Sequence, residues 1–439
     1  MFTLHASGPV PSYNIGFVST RFAGTDGVSL ETAKWAEVLA GLGHKSFYFA
    51  GLCDRPAEVS MVVPEAFYRH PEVLARHERF FGSETRSRED TLWVHTLRDK
   101  FVEDLYRFIE TFSIDLLVPE NCMTIPLNIP LGLALTEVIA ETGIPVIAHH
   151  HDFVWERKRF LINGVNDYID KAFPPGLPSI QHVVINSIAQ ADLASKCAVS
   201  STIIPNVMNF EQCEVFLDGY AGDLRSRLGL SADDIMVLQP TRIIQRKGIE
   251  HAIELVSRLG SNATLVISHA SGDEGDAYAK RVRDYAELLK VRTIFAEHLV
   301  GEHRGSNAQG EKLYSLADMY HQADLVTYPS AYEGFGNAFL EGVFYHKPMV
   351  VQNYTVYTAD IRPKGFRAVE FDEYVTDATV AQVREVLADK AARTEMCERN
   401  FELARKYFSY PTLRYKLATL IANAFGPEEQ SDIEPAATE

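Results

Sequence analysis

Short apolar runs alternate along this chain with longer stretches in which apolar positions return every three or four residues. Residues 13–20 form such a run; Ala23-Gly24-Thr25-Asp26-Gly27 follows, and apolar positions then recur at helical spacing over 29–42. These segments predict a buried strand, a turn and an amphipathic helix. Gly41 and Gly43 close the helix and 46–50 supplies another strand, completing the β-α-β pattern of a parallel sheet. The alternation continues with a helix over 101–112, a strand over 116–118, a helix over 131–142 and a strand over 145–148. It then restarts: strand 236–240, helix 248–259, strand 264–268, helix 276–289, and strands 325–328 and 348–351 with the helix 337–345 between them.

A chain of 439 residues exceeds the size at which one core stops growing, so two domains are expected. The pattern predicts an α/β protein of two Rossmann-like, doubly wound domains facing across a cleft. The expected division is 1–207 for the first domain and 208–405 for the second. A last helix over 406–425 packs back on the first domain, and 426–439 forms an acidic, disordered tail. No short-period repeat is visible.

Charge narrows the partners. Lys plus Arg total 42 against 59 Asp plus Glu, a formal charge of -17, which disfavours nonspecific binding to nucleic acid or to an anionic membrane. Any anionic ligand must therefore meet a locally basic site. The start of the chain lacks the basic and apolar regions of a signal peptide, and the mostly apolar stretch 125–140 is too short and too polar to span a bilayer. Cys53, Cys122, Cys197, Cys213 and Cys397 are scattered and contain no C-x-x-C spacing, so a disulfide framework or zinc knuckle is not expected. A reducing cytoplasm fits this usage.

The strongest chemical signal is the segment from Tyr328 to Glu341, where Glu333 lies in a glycine-containing turn and Glu341 in the following helix. The amides of Gly334, Phe335, Gly336 and Asn337 and the helix N-terminus offer a cradle for hydroxyl or anionic oxygen. Glu341, beyond the first helical turn, can accept hydrogen bonds from a diol such as ribose. A second segment, Arg242-Ile243-Ile244-Gln245-Arg246-Lys247-Gly248, follows the first strand of the second half and brings cations to the same sheet edge. Read structurally alone, these would be incidental glutamates on a surface helix and two solvated cations.

Together they resemble the E-x7-E and R-x4-K-G motifs of the large family of retaining GT-B glycosyltransferases that includes sucrose-phosphate synthases and mannosyltransferases. The resemblance covers both halves of the chain. It implies that Glu333 contacts the donor sugar, Glu341 holds the ribose, and Arg242 and Lys247 bind the donor diphosphate. It also implies a GT-B fold, a nucleoside-diphosphate hexose such as GDP-mannose or UDP-glucose as cosubstrate, no metal and no further cofactor, with cations and helix N-termini supplying the positive charge.

In the first half, Gly24, Thr25, Asp26 and Gly27 occupy the turn where this family carries a glycine pair facing the donor phosphates; here Thr25 and Asp26 separate the glycines, and Asp26 could instead bind acceptor hydroxyls. His149-His150-His151-Asp152 falls where the strand 145–148 ends. Successive strand residues face opposite ways, so three consecutive histidines cannot share one metal while the strand continues. The resemblance places one histidine here beneath the donor sugar; His150 is the choice, with His149 and His151 as rivals.

Downstream, Arg157, Lys158 and Arg159 set three cations beside the acceptor side of an acidic protein, where they could recognise a carboxylate or phosphate on a small hydroxylated acceptor. The segment 25–31 combined with the triple histidine also resembles enzymes that glycosylate glyceric-acid derivatives. Alternatives of other classes are a glycoside phosphorylase and a non-catalytic nucleotide-sugar-binding protein. An oxidoreductase is disfavoured because the first turn lacks G-x-G-x-x-G.

Overall fold

The structure is a computed structural model and describes residues 11–24, 26–212, 218–270 and 276–426. Thr25, Cys213 and residues 427–439 of the acidic tail lie outside the described residues. The chain divides into two compact units: Met1–Ile185 with Ala189–Ile204 and Pro411–Glu439, and Asn186–Ile188 with Pro205–Tyr410.

The first unit is built on strands β1 (Asn14–Val18), β2 (Lys45–Ala50), β3 (Ser60–Val62), β4 (Leu116–Pro119), β5 (Val146–His150), β6 (Ile180–Val184) and β7 (Ser201–Ile203). They lie side by side in the order β3-β2-β1-β4-β5-β6-β7, every neighbouring pair parallel. A parallel sheet must be covered on both faces, and β4 and β5 are buried at every position. The order reverses direction between β1 and β4, so the carboxyl ends of those strands form the crevice where open α/β sheets place ligands.

Three helices show how the sequence covers this sheet. Helix α1 (Gly27–Ala40) follows β1; α2 (Arg88–Phe112) is far longer than the 101–112 expected from periodicity. Its buried stripe is Asp90, Val94, Leu97, Phe101, Asp104, Leu105 and Phe108. Two aspartates stand at stripe positions, which hid the first half of the helix from a reading based on apolar spacing. Asp90 is held there by Arg76 Nη1 at 2.5 Å and Arg79 Nη2 at 2.6 Å, and Ser87 caps the helix by accepting from Asp90 N. Helix α3 (Ile129–Thr142) starts at Asn128, whose Oδ1 accepts from Leu131 N. Phe101, Leu105 and Phe108 join Leu131, Leu135, Val138 and the strand residues Leu117 and Val146 in one core.

The final helix of the described chain, α7 (Tyr410–Phe425), belongs from Pro411 onward to the first unit. Gln181 Nε2 donates to Leu420 O at 2.8 Å, Lys416 Nζ to Ile203 O at 2.8 Å, and Tyr13 stacks on Phe425 with centroids 3.9 Å apart.

The second unit repeats the plan with β8 (Ile235–Gln239), β9 (Ala263–Ile267), β10 (Thr293–Phe295), β11 (Leu325–Tyr328), β12 (Met349–Gln352) and β13 (Val369–Phe371), in the order β10-β9-β8-β11-β12-β13, all parallel. Helix α4 (Ile249–Leu259) lays Ile249, Ile253 and Val256 on Val237, Leu265 and Ile267. Two further helices, α5 (Leu316–Gln322) and α6 (Asn337–Phe344), flank β11 in sequence. The fold class is therefore α/β with two Rossmann-like parallel sheets. No helix among the described residues is long and apolar enough to cross a membrane.

Two histidines are core residues of the first unit. His150 on β5 and His182 on β6 are 0% and 4% exposed, and His150 Nε2 lies 2.8 Å from His182 Nδ1. Burial pushes His182 down to about 4 and holds His150 well below the ordinary histidine value, so both rings are neutral at neutral pH.

Two tests follow from this packing. A Cβ at Gly132 in α3 would fall 2.2 Å from Phe173 Cζ. Helix propensity alone favours alanine by about 1 kcal/mol, but overpacking costs about 1–3 kcal/mol. Gly132→Ala should therefore lower the urea midpoint, and a raised midpoint would mean that Phe173 gives way freely. For His182, the unfolded chain titrates near pH 6.5. The depressed folded value means its stabilisation is full above about pH 6.5 and is lost as pH falls toward 4. Wild type should lose more stability than His182→Asn between pH 7 and 5; equal losses would contradict the assignment.

Candidate active site

In the second unit the loops after β8 and β11, the two strands at the reversal point, carry the motif residues. Glu333 is only 7% exposed, and its two oxygens are separately engaged. Lys247 Nζ donates to Oε1, and Arg246 Nη1 donates to Oε2 at 2.8 Å. Arg246 Nη1 also donates to Tyr332 O at 3.1 Å, while Lys247 Nζ sits 5.4 Å from the centroid of the Tyr328 ring.

Burial alone would raise the Glu333 carboxyl, but the charges of Lys247 and Arg246 outweigh it and hold the group below its ordinary value. Glu333 is thus an ionised carboxylate and cannot serve as a proton donor at neutral pH. Burial also pulls Lys247 below the ordinary lysine range, against the attraction of Glu333. Arg242 is exposed, and its charge adds to the effect of burial in lowering Lys247 and the half-buried His269. Three cations and one carboxylate leave this edge locally positive in a chain of net charge -17.

Helix α6 begins beside this cluster. Gly336 precedes it with φ +129°, and a Cβ there would lie 2.3 Å from the Tyr354 hydroxyl, which donates to Phe335 O at 2.9 Å. Only glycine suits that backbone. Gly336 has no side chain to cap the helix, so its first turn keeps amides available to an anion. The turn is pinned from outside: Asn186 Nδ2 donates to Gly334 O and Asn206 Nδ2 to Asn337 Oδ1, each at 2.7 Å. Phe335 is a packing residue, 3% exposed and edge-on to Phe408, which leaves only its backbone for any ligand. Glu341, in α6, accepts from the buried Tyr320 hydroxyl at 2.9 Å, and Tyr320 in turn stacks on Tyr345.

In the first unit, Asp26 is the N-cap of α1. Its Oδ1 accepts from Val28 N and Ser29 N, both at 3.2 Å, and its Oδ2 from Ser29 Oγ at 2.6 Å and Arg21 Nη2 at 3.1 Å. These bonds give Asp26 a structural task that the sequence reading did not assign. Gly24 N donates to Asp54 Oδ2, Gly27 is the first helical residue, and Thr25 lies outside the described residues. Arg157 is half-buried and bound to Asp152 at 2.6 Å, which offsets its charge; Lys158 and Arg159 are exposed, with Arg159 over the Phe160 ring. The three do not form one helix face, because the segment is two short 3-10 turns.

The histidine run separates as a strand requires. His150 turns to His182 and lies tilted against Phe153 inside its own unit, so the sequence choice of His150 points at the core. His149 and His151 share the other direction and converge on Glu120, just past β4. Glu120 Oε2 lies 3.0 Å from His149 Nδ1 and 3.3 Å from His151 Nε2. Trp35 of α1 stacks on His149 at 4.1 Å, and His149 packs on His151 at 4.3 Å. Burial favours a raised Glu120, but the two imidazoles outweigh it and hold the carboxyl below its ordinary value. For His151, burial pulls downward, yet the hydrogen bond and charge of Glu120, with Glu31 and Asp152, raise it overall. Among the described residues, Glu120, His149 and His151 also form a cluster whose ligand atoms, within 4.8 Å of one another, could hold a metal ion.

Sequence reasoning did not select Arg246, Tyr320 or Glu120. A glutamate ending the apolar run Leu116–Pro119 was a legible signal, since a charge at the carboxyl end of a buried parallel strand points to a site. Arg246 and Tyr320 carried no such mark.

The comparisons agree with this architecture. Residues 222–403 match the family model described as glycosyl transferases group 1. Two relatives are each called mannosylglucosylglycerate synthase. The one from Petrotoga mobilis is 34% identical, covering 81% of this chain and 86% of its own length. The one from Thermotoga maritima is 31% identical, covering 91% and 97%. Among solved structures, a glycosyltransferase from Rickettsia africae ESF-5 shares the fold with a TM-score of 0.67 at 14% identity, over 94% of this chain and 99% of that one. With two relatives above 30% identity along most of their length, and with a parallel-sheet unit that presents the motif glutamates and cations at one edge, this chain belongs to the glycosyl transferases group 1 family.

Proposed function

We propose that this glycosyltransferase moves a mannosyl group, with retention, from a nucleoside-diphosphate mannose to a small acceptor bearing a carboxylate, glucosylglycerate being the candidate that the relatives' name suggests. The observation that carries the donor assignment is Glu333, an ionised carboxylate clamped by Lys247 and Arg246 beside the uncapped start of α6.

In this reading Arg242, Arg246 and Lys247 receive the diphosphate, whose negative charge grows as the glycosidic bond breaks. They stabilise the leaving group without a metal ion or other cofactor. Glu333 accepts hydrogen bonds from sugar hydroxyls, and the amides of Gly334 to Asn337 add donors. Glu341, steadied by Tyr320, accepts from the ribose diol. Glu333 is neither a general acid nor assigned as a nucleophile; the departing phosphate assists deprotonation of the acceptor.

In the first unit His151 replaces His150 as the histidine that serves the transfer step, because His150 is committed to His182. The exposed Lys158 is the first cation offered to the acceptor carboxylate, with Arg159 and the Asp152-bound Arg157 beside it in sequence.

Calorimetric titration of the full chain with GDP, UDP and ADP in the presence of chelator tests the donor site. One diphosphate should bind selectively. Lys247→Ala and Glu341→Ala should each weaken it by about 10- to 100-fold, the loss of one hydrogen bond to a charged group at about 1.5–3 kcal/mol. Full affinity in both variants would refute the assignment.

A further inference from the structure

Glu120 is 0% exposed, yet among the described residues its side-chain hydrogen-bond partners are two imidazoles and no lysine or arginine. A buried carboxylate in such company is costly for folding, and an apolar residue at the end of a parallel strand would serve the core better. Such a local conflict is expected where function demands it.

The geometry is specific. One oxygen, Oε2, is the acceptor for both rings, so His149 presents Nδ1–H and His151 presents Nε2–H. The nitrogen of His151 that does not face Glu120 is therefore Nδ1. The main chain is fixed independently by the neighbouring residue: Asn121 Oδ1 accepts from the backbone N–H of His151 and of Asp152, each at 3.0 Å, and Asn121 N donates to His149 O at 2.8 Å. Behind His151 the stack of His149 and Trp35 closes the other side of the ring. Ring, tautomer and backbone of one half-buried histidine are all held, more than packing requires.

We propose that Glu120 is a positioning residue for glycosyl transfer, acting through His151 by fixing its ring and directing Nδ1 at the reacting groups, with His149 and Trp35 as support. This rests on the glycosyltransferase reading above. Glu120 itself touches neither donor nor acceptor.

The test is a kinetic double-mutant cycle on the full chain with GDP-mannose and glucosylglycerate, using E120Q, H151N and the pair, with E120D as the conservative variant. E120Q should lower kcat by about 10- to 100-fold, the usual cost of removing an orienting partner, while GDP affinity and acceptor KM stay within about twofold. E120D should recover part of the loss. In the H151N background, E120Q should cost little further. An E120Q penalty of the same size with and without His151, or GDP affinity falling in step with kcat, would overturn the proposal in favour of a folding role. One equivalent of tightly held divalent metal in the wild type, with kcat lost on chelation, would overturn it in favour of a metal site. An active wild type whose E120Q variant keeps its kcat would contradict the positioning role alone, whereas a wild type inactive with every donor would contradict the functional reading and this role with it.

Discussion

A carboxylate almost wholly removed from water stays ionised only if cations or hydrogen-bond donors stand against it, and the motif edge of the second sheet is arranged around that constraint. Glu333 is reached from one side by Lys247 and from another by Arg246, both on the loop that leaves the first strand of the second sheet. The carboxylate sits on the loop that leaves the neighbouring strand across the reversal of strand order. Parallel pairing of β8 with β11 sends both loops to the same edge, so the ion cluster follows from the topology. Gly336 and the two asparagines that pin the turn then set the start of α6 beside it.

The first unit uses the same sheet order for different chemistry. Its edge carries a carboxylate too, but Glu120 is matched by imidazoles, whose charge is adjustable near neutral pH, where Glu333 is matched by a lysine and an arginine. A site built to hold a diphosphate needs fixed positive charge; a site that orients a ring or shares a proton does not. In the proposed reading the two clusters divide the work of a transferase between charge neutralisation and placement.

Much of this is legible in the sequence. The alternation of apolar runs and periodic stretches marks most strands and helices that build the two sheets, because buried parallel strands admit few polar residues. The glutamate pair and the Arg242 to Gly248 segment were legible as motifs since their spacing is local. What escaped depended on contacts distant in sequence. Helix α2 began earlier than expected because arginines outside it make Asp90 a tolerable buried residue. His150 could not be told from its neighbours without knowing that His182 lies beside it on the next strand, 32 residues on. That Asp26 also caps a helix depends on Ser29 and Val28 folding back on it.

Sugar transfer from a nucleotide donor with retained configuration is the activity proposed for this chain, and nuclear magnetic resonance of the anomeric proton during turnover reads it out. Incubated with GDP-mannose and glucosylglycerate, the full chain should release GDP in step with a single new glycoside of the donor's own anomeric configuration. No glycoside, an inverted one, or a product that forms only from a sugar phosphate would contradict the account.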